Sequence, residues 1–273
     1  EGVAVATILA GILLVLMCLL RMGSMIKFIP YTITTGFTAG IAVTILIGQL
    51  KDFFGLTFTR SPVETMEKVE EVVHTFHTAN WTAVGIGCLA LAILIVWPRF
   101  FKKIPASLIA VIVTAGAVKL FSLPVNTIGD LYTISSALPR LTLPALSYDT
   151  VAAVLPDAFT IAVLAAIESL LSAVVADEMI GSRHNSNMEL VAQGVGNAAS
   201  ALFGGIPATG AIARTAANIK NGGKSPVAGM VHAVVLLLVL VLLMPYAALI
   251  PMPCIAAILF QVAYNMSGWR TLV

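Results

Sequence analysis

The sequence predicts an all-α polytopic membrane protein. Of its 273 residues 59% are hydrophobic and only 10% are charged, and the mean hydropathy is +1.00. Such a composition exceeds what a soluble domain buries and calls for lipid as the solvent. The apolar residues also fall into runs close to the about 20 residues that a helix rising ~1.5 Å per residue needs to cross ~30 Å of hydrocarbon. A formal net charge of +2 is too mild to mark a nucleic-acid partner.

In order, residues 3–20 and 31–50 are long apolar runs separated by Arg21 and Lys27. A third, 81–98, lies between Trp81 and Trp97-Pro98-Arg99, and a fourth, 105–121, opens on Pro105. The fifth, 152–176, contains Glu168. Residues 188–203 are only moderately apolar, Gly204-Gly205-Ile206-Pro207 interrupts them, and 208–219 is too short to span alone. Gly222-Gly223 leads into a long run, 226–249, and Pro251-Met252-Pro253 opens the last, 254–267.

Between these runs, 61–78 reads as a short external helix, with Ser61 as N-cap, Pro62 at the first helical position and Glu64 three residues on. Val63, Met66, Val69, Val73 and Phe76 recur at helical spacing and form an apolar face for the membrane or a neighbouring helix. Residues 122–150, with Pro124, Pro139 and Pro144, read as an external loop holding a short strand or two. Arg21, Lys27, Arg99, Lys102, Lys103, Arg183, Lys220, Lys224 and Arg270 fall on one set of alternating connections, which places those connections in the cytoplasm. The entry into an apolar run at Glu1 and the stop just past a span at Val273 read as an internal piece of a longer chain.

The segment Phe203 to Asn218 carries the first candidate chemistry, because it joins a Gly/Pro-broken backbone to Arg214. An arginine at bilayer depth costs a few kcal/mol or more and persists where it faces protein, water or a ligand. A helix starting near Ala208 or Thr209 adds unpaired N–H groups and the positive end of its dipole, which favours an anion. Arg214 would then lie about two turns in. Its competing role is to snorkel to the cytoplasmic interface near Lys220.

Glu168 is the acidic residue deep in a span, with Ser172 one turn on along the same face. It can carry a coupling proton, hold a sodium ion or Arg214, or serve as a purely structural ion pair. The polar stretch from Asp177 to Leu190 reads chiefly as helix capping, with Asn185 or Asn187 and Glu189 as the capping residues. Gln193 and Asn197 read as helix-packing or crevice-lining groups. Cys18, Cys88 and Cys254 lie singly, and His74 and His77 lack a third ligand, so no metal site is assigned. No cofactor motif and no nucleophile–base pair emerges, which argues against an enzyme.

Several long stretches resemble the SulP anion transporters, also called sulfate permeases. They are Phe28 to Ile41, Gln49 to Leu56, Ala166 to Asp177, Asn187 to Asn197 and Phe203 to Arg214. The resemblance implies two inverted repeats of seven segments, divided into core and gate domains and usually followed by a cytoplasmic STAS domain. In that scheme residues 1–22 are a core helix like segment four, and 23–121 are gate helices like segments five to seven. An external loop follows at 122–150, then core helices with a half-helix anion site at 151–250, like segments eight to eleven. Residues 251–273 open the second gate repeat, like segment twelve.

The implied activity is secondary active transport of an inorganic anion such as sulfate or bicarbonate, by alternating access, with proton coupling or exchange. A dicarboxylate transporter or an uncoupled anion channel is the alternative. The implied anion site is Ala208, Thr209, Gly210, Ala211, Ile212 and Arg214, with Glu168 and Ser172 at a coupling-ion site for a proton or sodium. The implied partners are the bilayer of the cell membrane, a second copy in a homodimer, and the remaining transmembrane segments and STAS domain of a parent chain, which hold the other half of the anion site. No cofactor is implied.

Overall fold

A computed structural model describes residues 2–28, 30–133 and 137–267. The helices are α1 (Gly2–Leu19), a 3₁₀ turn (Met22–Phe28), α2 (Tyr31–Gly48), α3 (Leu50–Phe54), α4 (Thr65–Thr75), α5 (Trp81–Phe100), α6 (Ala106–Phe121), α7 (Ile128–Leu131), α8 (Tyr148–Ile180), α9 (Ser186–Leu202), α10 (Ile212–Lys220), α11 (Val227–Leu238), a π turn (Val239–Leu243), α12 (Met244–Ala247) and α13 (Met252–Ser267). Five stretches, Gly2–Leu19, Thr35–Phe54, Trp81–Phe100, Tyr148–Ile180 and Val227–Ala247, are long and apolar enough to cross a membrane. The all-α polytopic expectation therefore holds. The chain divides into two compact units, Glu1–Pro30 with Ala137–Leu237, and Tyr31–Ser136 with Leu238–Val273.

In the first unit α1 packs on α8 and α9. Its core is Ala10, Leu14, Ala162, Ala165, Ala166, Leu170 and Leu190. Small residues dominate because helix association in lipid depends on close van der Waals approach. The approach is tightest at Gly11 and Gly194, where a Cβ on either would sit 2.5 Å from the other's carbonyl oxygen. The long helix α8 starts at Ser147, whose hydroxyl accepts the Thr150 N–H at 3.2 Å, and ends at left-handed Gly181. Its 33 residues make a rod of about 50 Å, longer than the hydrocarbon is thick.

No residue of α11 is buried among the described residues, and its apolar composition suits a membrane span. The expected single run over 226–249 is interrupted by the π turn. Pro245 lacks an N–H, and its ring would strike the carbonyl four residues back in a regular helix, so the wider turn relieves both conflicts.

In the second unit α13 packs against α2, α3, α5 and α6, around Phe53, Ala90, Leu94, Ala110, Cys254, Ala256 and Ala257. The Phe53 ring lies against the backbone of Gly87, where a Cβ would meet it at 2.5 Å.

Two expectations about connecting segments are corrected. The helix expected from Ser61 begins at Thr65, with Glu64 at the N-cap position and no side-chain cap. The cause is Glu71, which is 2% exposed. It accepts the Thr59 N–H at 2.9 Å, the Thr59 hydroxyl at 2.8 Å and the Arg60 Nε–H at 3.1 Å. Residues 59 and 60 are thus held beside the seventh residue of α4, about 9 Å along it, and 61–64 must run back to the helix start.

The strand expected within 122–150 is also absent among the described residues; the loop holds α7 and an isolated bridge, Thr127 to Pro251. Its backbone pairs with the α12–α13 connection instead: Ile128 N–H to Ile250 O at 3.0 Å, Gly129 N–H to Ala248 O at 2.8 Å and Met252 N–H to Asn126 O at 2.9 Å.

Two outcomes follow. Gly194→Ala forces α1 and α9 apart and should cost about 1–3 kcal/mol, read as a lowered Tm of the detergent-solubilised protein. The hydrogen bonds to Glu71, those from Thr59 foremost, hold its carboxyl below the usual glutamate range. Its contribution is therefore complete above the ordinary glutamate value and is lost as pH falls through the lower, folded value. Amide exchange at Thr59 and Arg60, corrected for intrinsic rates, should rise in acid in the wild type. In Glu71→Gln it should already be raised and lack that acid transition.

Candidate functional site

The site is built where α9 stops. Gly204 takes a φ of 79° that favours glycine, and Gly205 N–H returns to Ser200 O at 2.7 Å. A side chain at Gly205 would collide with the Ser200 hydroxyl, which itself donates to Ile206 O at 3.0 Å. Asn197 then clamps the extended segment from inside α9. Its Oδ1 accepts the Ala208 N–H at 2.8 Å, and its Nδ2 donates to Ala208 O at 2.9 Å and Gln193 O at 2.8 Å. The Thr209 hydroxyl donates to Ala165 O on α8 at 3.0 Å.

This docking brings Gly210 against α8. A Cβ there would lie 3.3 Å from Ser172 Oγ and 3.6 Å from Ser169 Cα. Ser172 is 5% exposed, and its hydroxyl has no hydrogen-bond partner among the described residues. The helix expected from Ala208 or Thr209 starts instead at Ile212, with Ala211 as N-cap. The correction has a physical cause: Ala208 and Thr209 are committed to Asn197 and α8, so the backbone cannot coil until Ala211. Ala211 has no side chain able to cap, no acidic residue occupies the first turn, and the first N–H groups of α10 lack intrahelical acceptors. Arg214 is consequently the third helical residue rather than two turns in, and its side chain is exposed.

Glu168 on α8 is half-buried. Neither Glu168 nor Arg214 is in an ion pair among the described residues; the ion pairs found are Arg60 with Glu70 and Glu71, and His184 with Asp177. The neighbouring hydroxyl of Ser169 donates to Glu189 Oε1 at 2.6 Å, and Gln193 Nε2 reaches the same oxygen at 3.5 Å. Of the expected capping residues, Asn185 does cap α9, accepting the Met188 N–H at 3.2 Å. Asn187 Oδ1 instead accepts the Gly23 N–H at 3.0 Å, and Glu189 crosses to α8. At the α8–α9 turn, Asp177 Oδ2 lies 2.6 Å from His184 Nδ1, and His184 Nε2 lies 2.8 Å from Ser186 Oγ.

Sequence reasoning thus named Ser172 and Gly210, which the structure brings together; it gave Asn197 only a general packing or crevice role and Glu189 a capping role, and it missed Ser169 and Ser200 as positioning parts. A signal was present for Asn197: a side chain with donor and acceptor, within one helical stretch of a break whose backbone groups need partners.

A sequence model of the sulfate permease family matches residues 1–273. The chain belongs to the sulfate permease family. It is 45% identical to a putative sulfate transporter, YvdB, of Bacillus subtilis over 98% of this chain and 51% of that protein. It is 34% identical to the bicarbonate transporter BicA of Synechocystis over 100% of this chain and 48% of that protein. The chain therefore spans about half the length of these relatives. Among solved structures it resembles the transmembrane domain of a cyanobacterial BicA with a TM-score of 0.84 at 30% identity, covering 99% of this chain and 70% of that one. A structure of SLC26A9 shares the fold with a TM-score of 0.80 at 20% identity, over 98% of this chain and 43% of that one. The family and the apolar helices make this an integral membrane protein.

Asn197→Ala leaves Ala208 N–H and C=O without partners. It should cost about 1–3 kcal/mol or more, with amide exchange rising at Ala208 and Thr209 while the α1–α8 core stays protected.

Proposed function

We propose that the full-length protein containing this chain is a secondary active transporter of inorganic anions in the cell membrane, with sulfate or bicarbonate as the substrate class. The observation that carries this reading is the unpartnered Ser172 hydroxyl, buried against Gly210 beside the uncapped start of α10. A buried hydroxyl without a partner is costly, and a bound oxyanion would accept its hydrogen bond. The amide groups of Ile212 onward and the dipole of α10 favour the same negative charge.

Arg214, on the first turn, raises the local positive potential and attracts the anion. Ala208, Thr209, Gly210 and Ala211 supply the backbone that shapes the cradle. Glu168 on α8, in no ion pair among the described residues, carries the coupling proton. Transport proceeds by alternating access, with the first compact unit as the core that bears the anion and the second as the gate. The transporting particle is a homodimer whose protomers carry the remaining transmembrane segments and a STAS domain. The names of the relatives support anion transport as the class of activity.

The test is uptake of labelled sulfate and bicarbonate by full-length protein in proteoliposomes, with and without an imposed pH gradient. Arg214→Ala should raise KM roughly tenfold, the loss expected for one charge-assisted contact. Ser172→Ala should raise KM severalfold without lowering Tm, because its hydroxyl has no partner to lose. Glu168→Gln should abolish the response to the pH gradient. Wild-type kinetics in Arg214→Ala and Ser172→Ala would sink the anion site. Flux without saturation or pH response in the wild type would favour a channel.

A further inference from the structure

The second unit holds a polar pocket that the transport reading does not use. It is a solvent-open depression of about 250 Å³ lined by Ile47, Gly48, Lys51, Phe58, Arg60, Ser61, Pro62 and Lys68. Lys51, Arg60 and Lys68 thus converge on it, and no carboxylate is among its lining residues. Glu70 and Glu71 offset the charge of Arg60, whereas Lys51 and Lys68 enter no ion pair among the described residues, so an anion between the ammonium groups is stabilising.

Two of the three cations are held in place by their neighbours. Buried Glu71 receives the Arg60 Nε–H at 3.1 Å, and Glu70 lies 3.6 Å from Arg60 Nη2. A guanidinium has five N–H donors, so these two contacts leave others for a ligand. Glu71 also binds Thr59 through both its N–H and its hydroxyl, which fixes the backbone carrying Arg60. Lys51 Nζ sits 5.3 Å from the centroid of the Phe58 ring, a cation–π contact. Lys68 is half-buried on α4, and Ser61 adds a hydroxyl. A preformed arrangement of this kind loses little side-chain entropy on binding. A forked guanidinium with flanking ammonium groups is a common receptor for a tetrahedral oxyanion.

We propose that this pocket is a second anion site, distinct from the α10 site, that binds a sulfate- or phosphate-class oxyanion. Its charge can come from a free inorganic anion or from the phosphodiester of an anionic phospholipid. Exposed Val63, Met66 and Val73 on and beside α4 give the lipid source an apolar surface next to the pocket.

The experiment is acetylation of Lys51 and Lys68 in the full-length protein, followed by mass spectrometry at constant ionic strength. One arm adds inorganic sulfate or phosphate, against chloride, in phosphatidylcholine nanodiscs. The other replaces phosphatidylcholine by phosphatidylglycerol without added oxyanion. Occupancy should slow acetylation of both lysines by roughly tenfold when the ligand stands near ten times its Kd, with Lys102 and Lys103 as internal references. Protection by the inorganic oxyanion assigns a free-anion site, and protection by phosphatidylglycerol alone assigns a headgroup site. The double variant Arg60→Gln/Glu71→Gln, which removes the fixed cation without leaving a buried carboxylate unpaired, should lose the protection. Arg214→Ala should keep it, which separates this site from the α10 site. No protection in either arm, or protection that survives the double variant, overturns the proposal.

Discussion

The side-chain amide of Asn197 governs the first unit. Breaking a helix in an apolar surrounding leaves backbone N–H and C=O groups unpaired, each at a cost of several kcal/mol. Asn197 answers both groups of Ala208 at once, at 2.8 and 2.9 Å, because it is one of the few side chains with donor and acceptor on a single planar group. The Ser200 hydroxyl serves Ile206 in the same way, and the Thr209 hydroxyl ties the segment to α8. Once these bonds are made, α10 has to start late, at Ile212, behind an alanine that cannot cap it.

The polar residues of this unit therefore fall into two groups. Asn197, Ser200, Ser169, Glu189, Asp177 and His184 all spend their hydrogen bonds within the protein, and they position helices. Among the described residues Ser172 is buried with none, and the Glu168 and Arg214 side chains enter no ion pair. Groups that the fold has left unsatisfied are those with capacity for a ligand. The scaffold that keeps them in place is made of alanine and glycine, whose small side chains let α1, α8 and α9 approach closely.

The second unit applies the same device outside the spans. A buried carboxylate, Glu71, organises a loop by accepting hydrogen bonds from Thr59 and Arg60. In doing so it aims a cation at a pocket instead of neutralising it completely. In both units a single buried polar side chain substitutes for regular backbone pairing, and the irregular segment it supports carries the exposed chemistry.

Long apolar runs were enough to place the spans, because length and hydropathy are local properties and lipid imposes a minimum length on every crossing helix. They were enough, too, to single out the broken segment, Arg214, Glu168 and Ser172, since glycine, proline and charge stand out in an apolar sequence. The helix starts at Thr65 and Ile212, the π turn before Pro245 and the pairing that replaces a strand in 122–150 were not legible in that way. Each depends on a bond between residues far apart in sequence or on how a local conflict is relieved: Thr59 and Arg60 with Glu71, Thr209 with Ala165, Met252 with Asn126. A hydrogen bond that crosses between elements leaves no periodic trace along the chain. Hence residue types and spans could be read in one dimension, whereas which polar groups find partners within the protein was settled by packing.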